Sequence, residues 1–274
     1  MPNETIRLFH SHLSERDFTG EPIPDEVLDA IIESGRRTPT HRHGQQISLV
    51  VVRDPDTLRR LWEAIALGIA QDQRQTSERL GLNGGPPPDA NLRLHPASKA
   101  PVFILIVADF HKTAVAVKAG GREQHVHESL EGWTVGAVDA GITLGTLSAA
   151  ARSFGLGAVA IGALRHDPQP IIDLLGLPPL TYPIVGISIG AVRRPEKPVL
   201  KPRLPLSTYR HDERYDPDAL TPEILADFDR ELLDYWREIG RPGTTWTERV
   251  QPYSTSVHPE TRIVAVRQGF TNVE

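Results

Sequence analysis

Lys201 and Arg203 are the residues with the plainest chemical meaning in this sequence. They alternate in a proline-braced strip, Leu200-Lys201-Pro202-Arg203-Leu204-Pro205. Alternate side chains of an extended segment point to one side. A lysine point charge beside a planar arginine fork suits a phosphate, while a solvated charged loop is the plain alternative, since exposed Lys and Arg are common. Arg16 adds a third cation, close to Ser14 and His12. Histidines recur as His-x-His three times: His10 with His12, His41 with His43, and His125 with His127. On a strand such a pair puts both imidazoles on one face, as a metal site needs. The first pair falls where a helix gives way to a turn and the second in a polar loop, with no further ligand at convincing spacing. His125 and His127 read as solvated surface histidines. Asp109, at the end of an apolar run, is either a catalytic carboxylate or a strand terminus. Gly155-Leu156-Gly157 with Gly162 suggests a dinucleotide fingerprint, but that motif needs a strand before its glycines and a helix after them. Here the order is helix, glycines, strand. The glycines then serve as a helix cap and a tight strand entry, or Gly162-Ala163 leaves backbone N–H groups open to a flat ligand. No Gly-x-Ser-x-Gly and no Walker lysine loop is present.

The elements that must position these residues are legible in the periodicity. Pro24-Asp25 opens a helix through Ile32, with apolar residues at three- and four-residue spacing. Ile47 to Val52 reads as a strand, and Asp54-Pro55-Asp56 opens a helix through Leu58, Leu61, Trp62 and Ile65. Residues 72–98 change character. Asp72 to Arg79 is polar, and Gly81 to Pro88 can continue neither a helix nor a central strand. We expect a lid-like insertion over 72–98, because loops this long are usually lids, binding loops or disordered. Pro101 to Ala108 is nearly all apolar, the pattern of a strand covered on both faces. Glu128 to Phe154 reads as the longest helix. Its Gly132, Gly136, Gly141 and Gly145 cost helix propensity but admit a close neighbour, and apolar residues around much of its circumference predict burial. Gly155 is its C-terminal cap. Ala158 to Leu164 reads as a strand, Pro168 to Leu175 as a short helix and Ile184 to Ile189 as a strand. From Gly190 the chain is Pro-rich and irregular until a last amphipathic helix over 222–239. Helices and strands mix without strict βαβ alternation, which predicts an α+β fold. We expect a single domain, 1–274, with a C-terminal extension over 192–274.

Composition excludes several classes. A net charge of −5 supplies no basic field for a nucleic-acid backbone. No run of ~18 apolar residues suits a membrane span. The start, Met1-Pro2-Asn3-Glu4-Thr5, lacks the basic-then-apolar order of a secretory signal. Cysteine is absent, so disulfides, thiolate metal ligands and a catalytic thiol are excluded. We expect a cytoplasmic protein that binds neither nucleic acid nor membrane.

Taken together, several stretches resemble the nitroreductase superfamily, in the branch of the oxygen-insensitive NADPH nitroreductases and flavin reductases. They are His12 to Ile23; Ser34 to Thr40 with Gln45; Val107-Ala108-Asp109-Phe110; Ala150 to Gly157 running into Ile161-Gly162-Ala163-Leu164-Arg165; Leu174 to Pro178; and the Lys201 strip. They lie in family order over about residues 5–250. The resemblance implies a central, mostly antiparallel sheet flanked by helices and an intertwined homodimer. The glycine-laced helix would lie at the interface, and one FMN would sit in each of two shared clefts. It also implies residue roles. His12 and Ser14 would hold the FMN phosphate with Lys201 and Arg203. Arg16 would lie at the pyrimidine edge, where a cation stabilises charge developing on reduction. Thr40 would come from the partner. Ala160, Ile161, Gly162 and Ala163 would run along the flavin. The implied activity is ping-pong transfer of electrons from NAD(P)H, with NADPH favoured, to nitroaromatics, quinones or flavins. Flavin-centred chemistry requires no catalytic side chain, and no metal is implied. The alternatives are a non-redox flavin-binding or flavin-degrading relative on the same scaffold, and a His-x-His metal enzyme. The sequence departs from the family at Leu13, where an Arg is frequent, and at Ala160, where an aromatic residue is. His43 and Ile47 stand where many relatives have Asn and Trp. Arg237 and Arg241 are both candidates for a contact to the nicotinamide nucleotide.

Overall fold

A computed structural model of the chain describes residues 3–79, 94–254 and 259–271. The chain forms two compact units. The larger comprises Met1–His10, Ser14–Arg193 and His258–Glu274; the smaller comprises Ser11–Leu13 and Arg194–Val257.

The larger unit runs α1 (Glu4–His10), α2 (Asp25–Arg36), β1 (Ile47–Val52), α3 (Pro55–Arg79), β2 (Val102–Asp109), α4 (Phe110–Ala119), α5 (Leu130–Ser153), β3 (Gly157–Ile161), α6 (Gln169–Leu175) and β4 (Thr181–Gly190). The strands form one sheet in the order β1-β2-β4-β3, every pair antiparallel. With helices on both faces this is the expected α+β architecture. β2 is buried along its whole length, and its alternation divides the core. Phe103, Leu105 and Val107 face Leu61 and Trp62 of α3. Val102, Ile104 and Ile106 face Ile31 of α2 and Ala140 and Leu147 of α5. A strand of period two with both faces covered has no polar face to show, which is why its sequence is an unbroken apolar run.

One glycine is required by this packing. A Cβ on Gly186 of β4 would stand 2.1 Å from Cζ of Phe103, a fully buried ring. Gly186→Ala is therefore expected to lower unfolding stability by about 1–3 kcal/mol through overpacking. Denaturant titration checks this; an unchanged midpoint would refute it.

Two expectations need correction, the polar stretch from Asp72 and the burial of α5, while Asp109 takes the strand-terminus reading of its two. The polar stretch from Asp72 does not open a loop: α3 continues to Arg79, because Gln, Arg and Glu are good helix formers and need no burial. Gly81 to Pro88 lies outside the described residues. Asp109 ends β2 and begins α4, a helix the periodicity did not reveal. Its carboxylate accepts from Lys112 N–H at 3.1 Å and from Ser48 Oγ at 2.5 Å. It is a cap, which accounts for a carboxylate at this point without catalysis. Finally, α5 is not buried around its circumference. Gly136, Ala140, Leu147 and Ala151 pack inward, whereas Leu130, Val138 and Ile142 are exposed. By length and composition α5 would also suit a membrane span; here one side of it packs on the sheet.

The amphipathic helix of the smaller unit, α7 (Pro222–Glu238), buries Phe228 and Leu232. It is not the last helix: α8 (Trp246–Val250) and, in the larger unit, α9 (Pro259–Arg267) follow. A capping box between Thr245 and Glu248 starts α8. Asp229 of α7 accepts from the N–H groups of Trp246 and Thr247 at 2.8 and 3.1 Å, tying the two helices. Desolvation, the largest single influence, pushes the Asp229 carboxyl up, but hydrogen bonding from Thr247, side chain and backbone, and from Trp246 N–H together hold it below its ordinary pKa.

Candidate functional site

In the larger unit the segment bearing Ser14 and Arg16 lies along β3. Glu15 N–H donates to Ala158 O at 3.3 Å, and Phe18, fully buried, bridges to Val192. Arg16 is exposed and its Nη1 donates to Ser14 O at 3.0 Å. Its charge reaches His95, whose pKa is lowered first by burial and then by Arg16. His95 Nδ1 accepts from Ala97 N–H at 3.1 Å, so the ring proton sits on Nε2, and the ring stacks on Trp62 at 5.6 Å. Replacing Arg16 with Gln is expected to move the His95 titration midpoint up, while burial still keeps it under the ordinary histidine value. Ring-proton NMR reads this directly, and an unmoved midpoint would place Arg16 elsewhere.

β3 is buried except at Ala160, whose side chain is exposed. The ladder with β4 ends at Ile161, opposite Gly186, so Gly162 and Ala163 lie past the sheet and half-buried. A Cβ on Gly162 would stand 2.9 Å from Nη2 of Arg165. Within this unit, then, the missing side chain makes room for the Arg165 guanidinium, which donates to Ile184 O at 2.9 Å.

Thr40 stands at the start of a tight loop. Its Oγ1 accepts from Gln45 N–H at 3.0 Å, which leaves the hydroxyl proton free to be donated. Arg42, His43 and Gln45 all take left-handed backbone, with φ of 51°, 58° and 51°. Asp139 of α5, 3% exposed, accepts from Gln46 Nε2 at 2.6 Å and from His41 N–H at 3.2 Å. Burial pushes its carboxyl pKa up, and the His41 bond opposes that. The loop borders a cleft of about 390 Å³ that Thr38, Thr40, His43, Gln45, Lys112 and Thr143 help to line.

In the smaller unit Lys201 and Arg203 line one cleft of about 680 Å³, together with Tyr209, Phe228, Trp246 and Arg249. Lys201 Nζ stands 5.0 Å from the centre of the Trp236 ring, and the Arg249 guanidinium 5.6 Å from it. Arg203 is exposed, its Nη1 donating to Lys201 O at 3.1 Å. Arg249 was not singled out from sequence. Arg237 pairs with Asp234, and Arg241 is exposed. His12 is exposed in the same unit.

The histidine pairs divide. His10, His12, His41 and His43 are exposed. His125 is exposed and meets Glu128 at 3.0 Å. His127 is not a surface histidine as expected: it is 8% exposed, and burial lowers its pKa. Gln124 lies 3.4 Å from its Nδ1, and it packs beneath Gly269. Among the described residues no three His, Asp or Glu side chains group as a metal site requires.

Comparison with known proteins bears on the same segments. Residues 10–191 match the nitroreductase family and residues 201–273 its C-terminal domain. The chain is 35% identical over 273 residues to the FMN reductase (NAD(P)H) of Bacillus subtilis, covering 98% of each. The structure of B. megaterium NfrA2 superposes with a TM-score of 0.81 at 31% identity, covering 100% of both chains. The NADPH:FMN oxidoreductase of Vibrio harveyi, solved with NAD+, superposes with a TM-score of 0.76 at 25% identity, over 98% of this chain and 100% of that one. An antiparallel four-stranded sheet clothed in helices, the Gly157–Ile161 strand with its small residues, and a likeness that runs from end to end lead to one conclusion: the chain belongs to the nitroreductase family.

Proposed function

We propose that this chain is an FMN-dependent oxidoreductase that passes electrons from NAD(P)H to a small-molecule acceptor of the nitroaromatic, quinone or flavin class. The observation that carries the reading is kinship over 98% of both chains with an FMN reductase, at 35% identity. The residues fit the cofactor on independent grounds. Lys201 and Arg203 line one cleft, as a phosphate-binding pair would. Ala160 is the one exposed side chain on an otherwise buried strand, and its methyl group leaves room for a flat ring. Bound FMN supplies the hydride-accepting centre.

In this reading His12, Ser14, Lys201 and Arg203 bind the phosphate. Arg16 sets a positive charge at the pyrimidine edge, which favours the electron-rich form. The backbone of Ile161, Gly162 and Ala163 orients the ring, and Thr40 reaches it from a second copy of the chain. The protein acts as a homodimer in the cytoplasm, as one nitroreductase-like domain with a C-terminal extension from 192. Arg249, beside Lys201 on Trp236, joins Arg237 and Arg241 as a candidate for the nicotinamide nucleotide. NADPH is the favoured donor.

Purified protein is expected to be yellow, with flavin absorbance near one FMN per chain. It should oxidise NADPH faster than NADH with a quinone or nitro acceptor. Colourless protein that FMN does not reconstitute would overturn the reading. Bound FMN that neither NADPH nor NADH reduces would favour the non-redox relative on the same scaffold.

A further inference from the structure

The loop from Thr40 to Gln46 is expensive to hold. Three of its non-glycine residues occupy the left-handed region, a strained conformation that persists only when its surroundings over-determine it. What over-determines it here is a carboxylate in the core. Asp139 projects from α5, accepts the His41 N–H at the start of the turn and the Gln46 side-chain amide at its end, and is sealed from solvent. Gly44 completes the lock: its φ is an ordinary −70°, but a Cβ there would stand 2.3 Å from Oε1 of Gln46. Gln46 O in turn accepts from Asp109 N–H at 2.8 Å, which anchors the loop's exit to the end of β2.

A buried ionisable side chain is a costly way to stabilise a fold. Its use here serves the conformation of the loop, because both donors it satisfies belong to that loop. We propose that Asp139 is a positioning residue for cofactor binding: through His41 and Gln46 it holds the Thr40–Gln45 turn in the strained shape that presents the Thr40 hydroxyl to FMN. The inference rests on the assignment of Thr40 to the flavin site made above. Asp139 does not itself touch cofactor or substrate; it acts through the turn.

The test is the dissociation constant of FMN for reconstituted apoprotein, followed by quenching of flavin fluorescence. Asp139→Ala is expected to weaken FMN about tenfold or more, the factor that ~1.4 kcal/mol represents. Asp139→Asn should recover most of this, because an amide can accept from His41 and donate to a flipped Gln46 side chain. Gly44→Ala reaches the same lock from outside the core, displacing the Gln46 amide, and is expected to weaken FMN about threefold with faster hydrogen exchange over 40–46. It keeps the test decisive where Asp139→Ala does not fold. Leu147→Val, a buried change on the inward side of the same helix and about two turns beyond Asp139, should leave FMN affinity unaltered. FMN binding by the Asp139→Ala and Gly44→Ala proteins at the native level overturns the inference, as does an equal loss in Leu147→Val, which would mark a general effect of destabilising α5. Thr40→Ala separates the two layers of argument. If it weakens FMN and the Asp139 and Gly44 variants do not, the site assignment stands and the positioning role falls. If none of the variants weakens FMN, the assignment of Thr40 falls too.

Discussion

The double variant Lys201→Ala/Arg203→Ala is expected to bind FMN about a hundredfold more weakly or worse, and to purify without colour. Hydrogen bonds to charged groups contribute ~1.5–3 kcal/mol each, so losing two removes at least ~3 kcal/mol, about two powers of ten in affinity. Each single variant should lose about tenfold. A competing role exists for Lys201, whose ammonium stands 5.0 Å from the centre of the Trp236 ring; such cation–π contacts contribute ~0.5–1 kcal/mol at exposed sites. Riboflavin distinguishes the two. It keeps the ring system and lacks the phosphate, so its affinity should change little in the double variant. An equal fall for riboflavin and FMN would mean that the strip supports the architecture of the smaller unit and does not read phosphate.

The second large effect is expected on α5. Gly141 and Gly145 have nothing within 4 Å of where a Cβ would stand, yet each costs ~0.8–1.0 kcal/mol relative to alanine in a helix. Among the described residues nothing inside the protomer accounts for that cost. They share the outward side of α5 with Val138 and Ile142, which are 54% and 37% exposed. Glycine beside β-branched apolar residues on an uncovered stripe is what a close helix contact from a second copy would need. Ile142→Glu would bury a charge there, and sedimentation is expected to shift from dimer to monomer. If Thr40 reaches a partner's cofactor, FMN should be lost in the same step. A variant that stays dimeric would exclude this side of α5 from the interface. A monomer that keeps FMN at native affinity would confine the whole site to one chain.

The sequence made the sheet plain and its polar exceptions obscure. β1 could be read to the residue because a short stretch rich in β-branched residues runs from Ile47 to Val52 and Arg53-Asp54-Pro55 breaks the pattern. β2 was legible as doubly covered because it has no polar position before Asp109. α4 was missed: it follows its strand without a turn, and a capping Asp at the junction looks the same as a strand terminus or a catalytic acid. His127 was misread for a related reason. A histidine in a polar stretch looks solvated, and the return of the chain at Gly269 helps to cover it. The candidate site followed the same division. Candidates whose chemistry lies in their own type, such as Lys201 and Arg203, could be named from local pattern, and the two do line one cleft. Asp139 could not, because its meaning depends on Gln46, 93 residues away. Nor could Arg249, since the Trp236 ring it covers belongs to another helix.

The bond from Glu15 to Ala158 has a consequence for the protein without its cofactor. β3 lies at the margin of the sheet, and an unoccupied margin invites strands from other molecules. Here the chain's own leading segment docks there through backbone, held also by the Phe18–Val192 bridge. None of these contacts involves a flavin. Newly made protein waiting for FMN is therefore expected to have part of that border covered already, which should reduce strand-to-strand association before the cofactor arrives.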